Sequence, residues 1–594
     1  NLMASVLLPV SLLLGALLLI LELFGDFVAY QIGLYLIYGI AAQGLGFIWG
    51  KTGVLPLGQA LFFGVAAYLA ASTLKADLPL VLTLAISGLV LCAIGGFAFL
   101  LATLIFRGRS ESGPYFSLIT LALAMIAEQI AGTATSITGG FNGMSGFASL
   151  GHLDPFGSYY YVIVGMSVGV SLLLFILNKL PVHLLARAVL DNEPRLQLLG
   201  FPTHVIKGAA FAFSALLAAL ASGLFASHQG IVTPTSTGFA LSAELLILTA
   251  VGGRFHVLGP LLGAVIIGWL SAELRDSFPY WELLMAFVFI TVVLKAPGGI
   301  AEVCEKVLAR FMPSASASRQ ASAIAAPSRT VQAPAKLKFH DVELKIGVVR
   351  ILNGVSFETP ASGVVSIIGP NGAGKTSVLN TITGNLRLTS GRITFGEDVI
   401  SSRPVYKALN RGIARKLQVP SVFASFSVSE NLTIASLAGR VTLADLFRFS
   451  TVRWRSSAIS KVLNHPKVPL NRLLNEPVAH LSQGHRQFLE YAMTVAAEPA
   501  LLLLDEPCAG LSPDETALMT ELIKQYQETA QRLVIVIEHD MSIVEAISDK
   551  VLVLHLGQVL AFDDYSSIRT NPDSIGSASA TVWMVPPDKT IGRS

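Results

Sequence analysis

The first 300 residues of this chain read as one apolar run after another, and between Asn1 and Trp49 there is neither a lysine nor an arginine. A water-soluble domain needs charge on its exposed faces, so this half is expected to be solvated by lipid. Ten runs approach the roughly 20 apolar residues that cross a bilayer as a helix. They lie near 3–24, 29–48, 57–73, 82–106, 114–131, 159–178, 207–229, 241–253, 257–274 and 280–296. The eighth is short and reads equally as a re-entrant segment. The run from Met3 to Leu23 lacks a basic flank and a clear small-residue cleavage site, so it is read as a retained span rather than a signal peptide. The chain opens on Asn1, and a few native residues are expected before it.

Lysine and arginine fall unevenly between the runs. With a cytoplasmic N-terminus, Lys51, Arg107, Arg109, Lys179, Arg187, Arg195, Lys207, Arg254 and Lys295 lie inside, and only Lys75 and Arg275 lie outside. Cytoplasmic loops carry the excess of positive charge. Both chain ends are therefore expected in the cytoplasm.

Three stretches of this half carry more than hydrophobicity. The first, Gly53-Val54-Leu55-Pro56-Leu57-Gly58-Gln59-Ala60, combines small residues that allow close helix approach with a proline that interrupts a helix. Gln59 is then a polar group at membrane depth, either lining a substrate pathway or bonding between helices. Glu128 and Glu244 are the other intramembrane candidates for selectivity. The second, Thr138 to Gly146, is a glycine-rich outside segment: a flexible loop, or a surface on which a solute-delivery protein docks. The third, Ala186 to Gly200, is the longest charged stretch between spans, with Arg187, Asp191, Glu193 and Arg195. It reads as a short amphipathic coupling helix pressed onto a cytoplasmic motor, or as an ordinary solvated loop.

Composition changes after residue 300. Charged residues make up only 13% of the whole chain and hydrophobic ones 53%, against about 25% charged in soluble domains. Most of that charge lies in the second half. The segment 313–336 is rich in serine, alanine and proline, a flexible tether with a root-mean-square reach of roughly 25–30 Å. The expected divisions are a membrane domain over 1–312, this tether, a soluble domain over 337–570 and a tail over 571–594. A net charge of +3 is too small to argue for nucleic acid. Cys92, Cys304 and Cys508 show no ligand spacing.

In the second half, Gly363 to Ile368 reads as a buried strand that leads into Gly369-Pro370-Asn371-Gly372-Ala373-Gly374-Lys375-Thr376-Ser377. This is a P-loop between strand and helix, whose backbone N–H groups curl around phosphates. Lys375 is expected to reach the β- and γ-phosphates and Thr376 to hold Mg²⁺. Some 130 residues on, Leu501 to Leu504 forms an apolar strand ending in Asp505-Glu506. Asp505 suits the carboxylate that supports Mg²⁺, and Glu506 the general base toward an attacking water. His539 follows a further apolar strand, Leu533 to Ile537, and is placed to contact the γ-phosphate.

Leu481-Ser482-Gln483-Gly484-His485 resembles the ABC signature, and on this motif the chain is identified with the ABC superfamily. Gln418 resembles the Q-loop glutamine, a further Mg²⁺ contact, and Gly510 to Asp514 resembles the D-loop. The resemblance implies an α/β P-loop ATPase in which two such domains sandwich two ATPs. Ser482, Gln483 and Gly484 would then contact the ATP held by the partner domain. Two departures stand out: Ile346 occupies the position of the adenine-stacking aromatic, and Gln483 and His485 replace the usual glycine and glutamine. The membrane half, an all-α polytopic domain, is similar to permeases of bacterial branched-chain amino acid importers and their urea or short-amide relatives, in "GVLPLGQALFFGVAAY", "TGGFNGMSG" and "DNEPRLQLLGF". The ATPase half agrees, and "LSQGHRQFLEYAM" is nearer the urea type. By that resemblance the chain is an importer subunit in the inner membrane. Its expected partners are a second permease and a second ATPase (from another chain or a second copy), an extracytoplasmic binding protein and a small polar solute. An exporter or a membrane-anchored ATPase sensor is the competing reading. Short inside loops argue against the first, and the number of spans against the second.

Overall fold

The computed structural model describes residues 2–107, 113–296, 298–311, 334–439, 446–447, 457–465 and 468–570. Arg109, nearly all of the tether and the 571–594 tail lie outside them. The chain divides into two compact units: Asn1–Leu190 with Thr203–Ser318 and Phe447–Phe449, and Asp191–Pro202 with Arg319–Leu446 and Ser450–Ser594.

The first unit is helical. Each of the ten apolar runs is a helix: α1 Leu2–Phe24, α2 Asp26–Thr52, α3 Gln59–Lys75, α4 Leu80–Phe106, α5 Gly113–Thr133, α6 Ser158–Leu177, and, beyond the charged helix α7 Pro181–Leu198, α8 Thr203–Gln229, α9 Phe239–Gly252, α10 Gly259–Ser277 and α11 Trp281–Lys295. Gly299–Phe311 adds α12. Five of them, α2, α4, α5, α6 and α8, are long and apolar enough to cross a membrane, and six if the bent pair Ala286–Lys295 and Gly299–Lys306 is one span. The expectation of about ten spans is not reached on that measure. Helix α9, for instance, has only 14 residues, about 21 Å at 1.5 Å per residue. A run can be apolar enough to bury without being long enough to cross.

Helix α8 packs against α2, α3 and α4, and its Ala215, Ala218 and Ala221 are fully buried. Helix α4 turns Val81, Leu89, Phe97 and Leu104 outward, the surface of a helix solvated by acyl chains. Between α2 and α3, residues 53–58 leave the helix, as Pro56 requires. A Cβ on Gly58 would lie 1.9 Å from the Thr120 carbonyl oxygen, so only glycine lets these backbones approach. The Thr138–Gly146 segment is ordered: Met144–Ser145 pairs antiparallel with Ile231–Val232, and Phe141 is exposed.

The second unit is α/β. Strands β1 Leu337–Ile346, β2 Val349–Glu358, β4 Ser390–Phe395 and β5 Asp398–Val399 form an antiparallel sheet in the order β2-β1-β4-β5. The second sheet runs β10-β9-β3-β8-β7-β6, with β3 Gly363–Ile368, β6 Ile413–Lys416, β7 Leu501–Asp505, β8 Leu533–Ile537, β9 Lys550–His555 and β10 Gln558–Asp563. All but β10 are parallel. Strands β3, β7 and β8 are buried at every position, which is why they read as continuous apolar runs. In register, Ile537 pairs with both Asp505 and Ile367, and Lys416 with Leu504. The carboxyl ends of β3, β6, β7 and β8 therefore lie side by side, where open α/β sheets bind ligands.

Candidate functional site

Strand β3 delivers the P-loop to that sheet edge. Gly369, Gly372 and Gly374 have φ of +150°, +82° and +97°, values that L side chains rarely adopt. Gly374 is the N-cap of α13, Lys375–Thr383, so the loop ends at a helix N-terminus, a ready anion site. Lys375 lies back along the loop, its Nζ donating to the carbonyls of Gly369 (2.7 Å) and Pro370 (3.0 Å). Burial lowers its pKa, against the pull of Glu506 and Asp505. Thr376, in the first turn, is exposed.

Asp505 closes β7. One carboxylate oxygen accepts from Arg415 Nη2 at 3.0 Å, and both side chains are 2% exposed. Its Oδ1 is buried with no hydrogen-bond partner. Burial pushes the Asp505 carboxyl up, and Arg415 opposes this. A half-satisfied buried carboxylate beside a P-loop fits a divalent cation. Gln418, two residues past the end of β6, is exposed.

Glu506 has φ +45°, a left-handed conformation that is costly for a residue with a Cβ. Its N–H donates to the Ile537 carbonyl at 2.9 Å, which fixes the turn against β8. The turn aims its carboxylate at His539, with Nε2 to Oε1 at 3.0 Å. Glu538 is tied down by the N–H groups of Cys508 (3.0 Å) and His539 (3.3 Å).

Ser482 caps helix α14, Gln483–Val495, its hydroxyl accepting from the His485 N–H at 3.2 Å. Gly484 has no room for a side chain, since a Cβ there would lie 2.5 Å from Glu515 Oε1. Gln483 packs on Gly510, where a Cβ would meet its Nε2 at 2.7 Å, and Gln487 donates to the Ala509 carbonyl at 3.3 Å. The signature residues thus join the Gly510–Asp514 turn, and no hydrogen bond links Ser482 to the P-loop among the described residues. Ile346, at the tip of the β1–β2 hairpin beside Val348 and Val349, is half-exposed.

The segment expected to couple divides in two. Helix α7 is broken at Asn192 (φ −156°, ψ 82°). Asn192 Oδ1 accepts from the Arg195 N–H at 3.0 Å, and Pro194 sits in the new first turn, so Asn192 acts as a second N-cap. Arg187 stays in the first unit. Asp191 accepts from the Ser425 N–H at 3.2 Å, and Gln197 Nε2 donates to Glu193 at 3.5 Å. Arg195 is not a surface group: it is fully buried in the second unit. Arg415, Lys416 and Glu490, which surround it, had no place in the sequence reading. Their signal was the pair of basic residues in a four-residue strand beside an all-leucine strand ending in aspartate.

In the first unit, Gln59 is fully buried. Its Nε2 donates to the Ser214 carbonyl (2.9 Å) and hydroxyl (3.0 Å), and its Oε1 has no partner. The contacts it makes are interhelical.

Residues 27–294 match a family described as the permease component of branched-chain amino acid transport systems. Residues 352–509 match the ABC transporter family. The second half is 35% identical over 243 residues to the high-affinity branched-chain amino acid transport ATP-binding protein BraF of Pseudomonas aeruginosa, covering 40% of this chain and 95% of that protein. It is 33% identical over 244 residues to LivG of Escherichia coli K12, with the same coverages. A crystal structure of an ATP-binding cassette of an ABC transporter in its ADP conformation is 24% identical, with a TM-score of 0.36 over 41% of this chain and 99% of that one.

Proposed function

This chain belongs to the branched-chain amino acid transport family of ABC importers, with permease and ATP-hydrolysing component in one integral membrane polypeptide, and we propose that it takes up a small polar solute handed to it by a binding protein. The reading is carried by the meeting of P-loop, Asp505, Glu506 and His539 at one sheet edge, in a chain whose other half is a permease.

On this reading the P-loop residues Gly369 to Ser377 hold the ATP phosphates, with Lys375 turning from its carbonyl partners toward them. Thr376, Asp505 and Gln418 would hold Mg²⁺, which would supply positive charge beside the transferred phosphoryl. Glu506 accepts the proton of the attacking water, and His539 holds the Glu506 carboxylate and contacts the γ-phosphate. Ser482, Gln483 and Gly484 contact the ATP of a second ATPase unit. That assignment accounts for a signature turned toward the Gly510–Asp514 turn rather than toward its own P-loop. The working importer then has two permeases and two ATPases. The second pair comes from related chains, or from a second copy of this one.

The membrane part is taken as residues 1–312, the tether as 313–336, the ATPase as 337–570 and the tail as 571–594. The distribution of Lys and Arg supports an inner-membrane location with the ATPase and both termini cytoplasmic. The exposed Phe141 on the ordered Thr138–Gly146 segment then faces the binding protein. Arg187, Asp191, Glu193 and Arg195 carry closure of two ATPases around ATP to the permease. The names of the relatives favour a branched-chain amino acid as solute. The "LSQGHRQFLEYAM" stretch favours urea or a short amide. Gln59, whose Oε1 remains without a partner, is the pathway group offered. Uptake of labelled leucine, valine, urea and acetamide, each presented with the binding protein, into ATP-loaded proteoliposomes tests this. Accumulation of one solute class that vanishes in Glu506→Gln supports the reading, and accumulation of none with an active ATPase contradicts it.

A further inference from the structure

Five ionisable side chains meet in the interior of the second unit: Arg195, Arg415, Lys416, Glu490 and Asp505, none more than 2% exposed. Arg195 Nη1 donates to the Arg415 carbonyl (3.1 Å) and to Glu490 Oε1 (3.3 Å). Its Nη2 donates to the Glu490 carbonyl (3.4 Å) and to Thr494 Oγ1 (3.1 Å). Glu490 Oε1 also accepts from the Leu417 N–H at 3.0 Å, and Lys416 Nζ lies 3.6 Å from its Oε2. Arg415 in turn holds Asp505 and, through Nη1, Asn380 Oδ1 at 2.6 Å. Arg195 therefore fixes the main chain at Arg415 directly and at Leu417 through Glu490, just before Gln418.

The other side of Gln418 is held from the same segment. Asn192 Nδ2 donates to Ser421 Oγ (3.1 Å) and the Val422 carbonyl (3.3 Å), and Asp191 accepts from the Ser425 N–H. Residues 191–195 thus splint the stretch 415–425 at both ends. Stability does not explain such a cluster, because well-packed apolar residues usually replace a buried ion network at little or no cost. What this network supplies is position, since both Nη atoms of Arg195 are held by acceptors on neighbouring elements.

We propose that Arg195 is a positioning residue for ATP hydrolysis: a residue from between two permease helices completes the interior of the ATPase unit and sets the places of Gln418 and, through Arg415, of Asp505. This deepens the coupling role given to residues 186–200 and rests on the importer reading only for its transport consequence. Any movement of 191–195 is felt at two groups of the ATP site, while the P-loop, which Arg195 does not touch, goes on binding nucleotide.

The test is steady-state ATP turnover by the full-length complex in lipid, for the unmodified protein, Arg195→Met, Arg195→Lys and Asn192→Ala. Misplacement of catalytic groups by about 1 Å costs up to about a hundredfold. Arg195→Met is expected to lower kcat about ten- to a hundredfold with KM for ATP little changed. Arg195→Lys, which keeps charge but not the forked donor, is expected to fall between. A merely structural role predicts less folded protein with an unchanged kcat per folded molecule, and that result overturns the proposal. Where Arg195→Met does not fold, Asn192→Ala decides, because it strands no buried charge. A lowered kcat at unchanged KM supports the splint, and an unmodified kcat overturns it. Lack of stimulation of the unmodified protein by binding protein and solute counts against the importer reading, and leaves these kcat ratios to judge Arg195 independently.

Discussion

Glu506 combines a catalytic assignment with a strained backbone, and the two can be separated by substitution. Its φ of +45° costs a residue with a Cβ roughly 1–2 kcal/mol. Glycine escapes that cost but gives up roughly 0.5–1 kcal/mol of chain entropy relative to alanine. Glu506→Ala and Glu506→Gly lose the same contact with His539, a pair 43% and 19% exposed, so that loss cancels between them. The difference leaves the glycine variant the more stable by about 0.5–1 kcal/mol, whereas at an ordinary position alanine is the more stable. For a domain of this size it appears as about 1–4 °C in Tm. Glu506→Gln keeps the strain and the shape but cannot take a proton, so turnover falls about 10²–10⁴-fold while ATP binding is retained. The assays are thermal unfolding of the three variants and ATP hydrolysis at saturating nucleotide. An alanine variant more stable than the glycine one refutes the strain argument, and near-normal hydrolysis by Glu506→Gln refutes the assigned base.

Arg415→Met leaves the Asp505 carboxylate buried without its partner and is expected to destabilise the ATPase unit by about 3–5 kcal/mol, read as a loss of its thermal transition. Gly58→Ala drives a Cβ to 1.9 Å from the Thr120 carbonyl oxygen. It should cost about 1–3 kcal/mol, seen as lower thermal stability in detergent while the ATPase transition is unchanged. Burial, reinforced by the charges of Lys51, Arg187 and Lys179, pushes His183 down to about 3. A depressed folded pKa gives stability that is present above the unfolded value near 6.5 and is lost as pH falls toward 3. Between pH 6.5 and 5 the unmodified protein should therefore lose about 1.5 kcal/mol more than His183→Gln, and equal acid sensitivity of the two removes the argument.

The catalytic half was largely legible because its chemistry is local in sequence. A P-loop needs its glycines in order, and Leu501 to Asp505 announces a buried strand whose end must face something polar. The helices of the membrane half were legible as apolar runs, but which of them cross was not, because hydropathy reports burial and length together. The reading of 186–200 as a coupling helix named Arg195, but its complete burial was not legible, for a physical reason. Charged residues are exposed unless paired, and the partners, Glu490 and the Arg415 carbonyl, lie more than 200 residues away in sequence. Asn192-Glu193-Pro194 did carry the local signal of a second helix start inside α7, a cap followed by a first-turn proline. Gln59 illustrates the opposite limit: its type marked it as significant, but only the Ser214 contacts show what it bonds.

The central claim is that ATP hydrolysis at the Asp505–Glu506 site is coupled to import. The most direct test is ATP turnover by the assembled complex in lipid, with and without its binding protein, across leucine, valine, urea and acetamide. The account predicts that binding protein loaded with one solute class stimulates turnover, and that Glu506→Gln shows none. Equal turnover with and without loaded binding protein, across every solute, would contradict it.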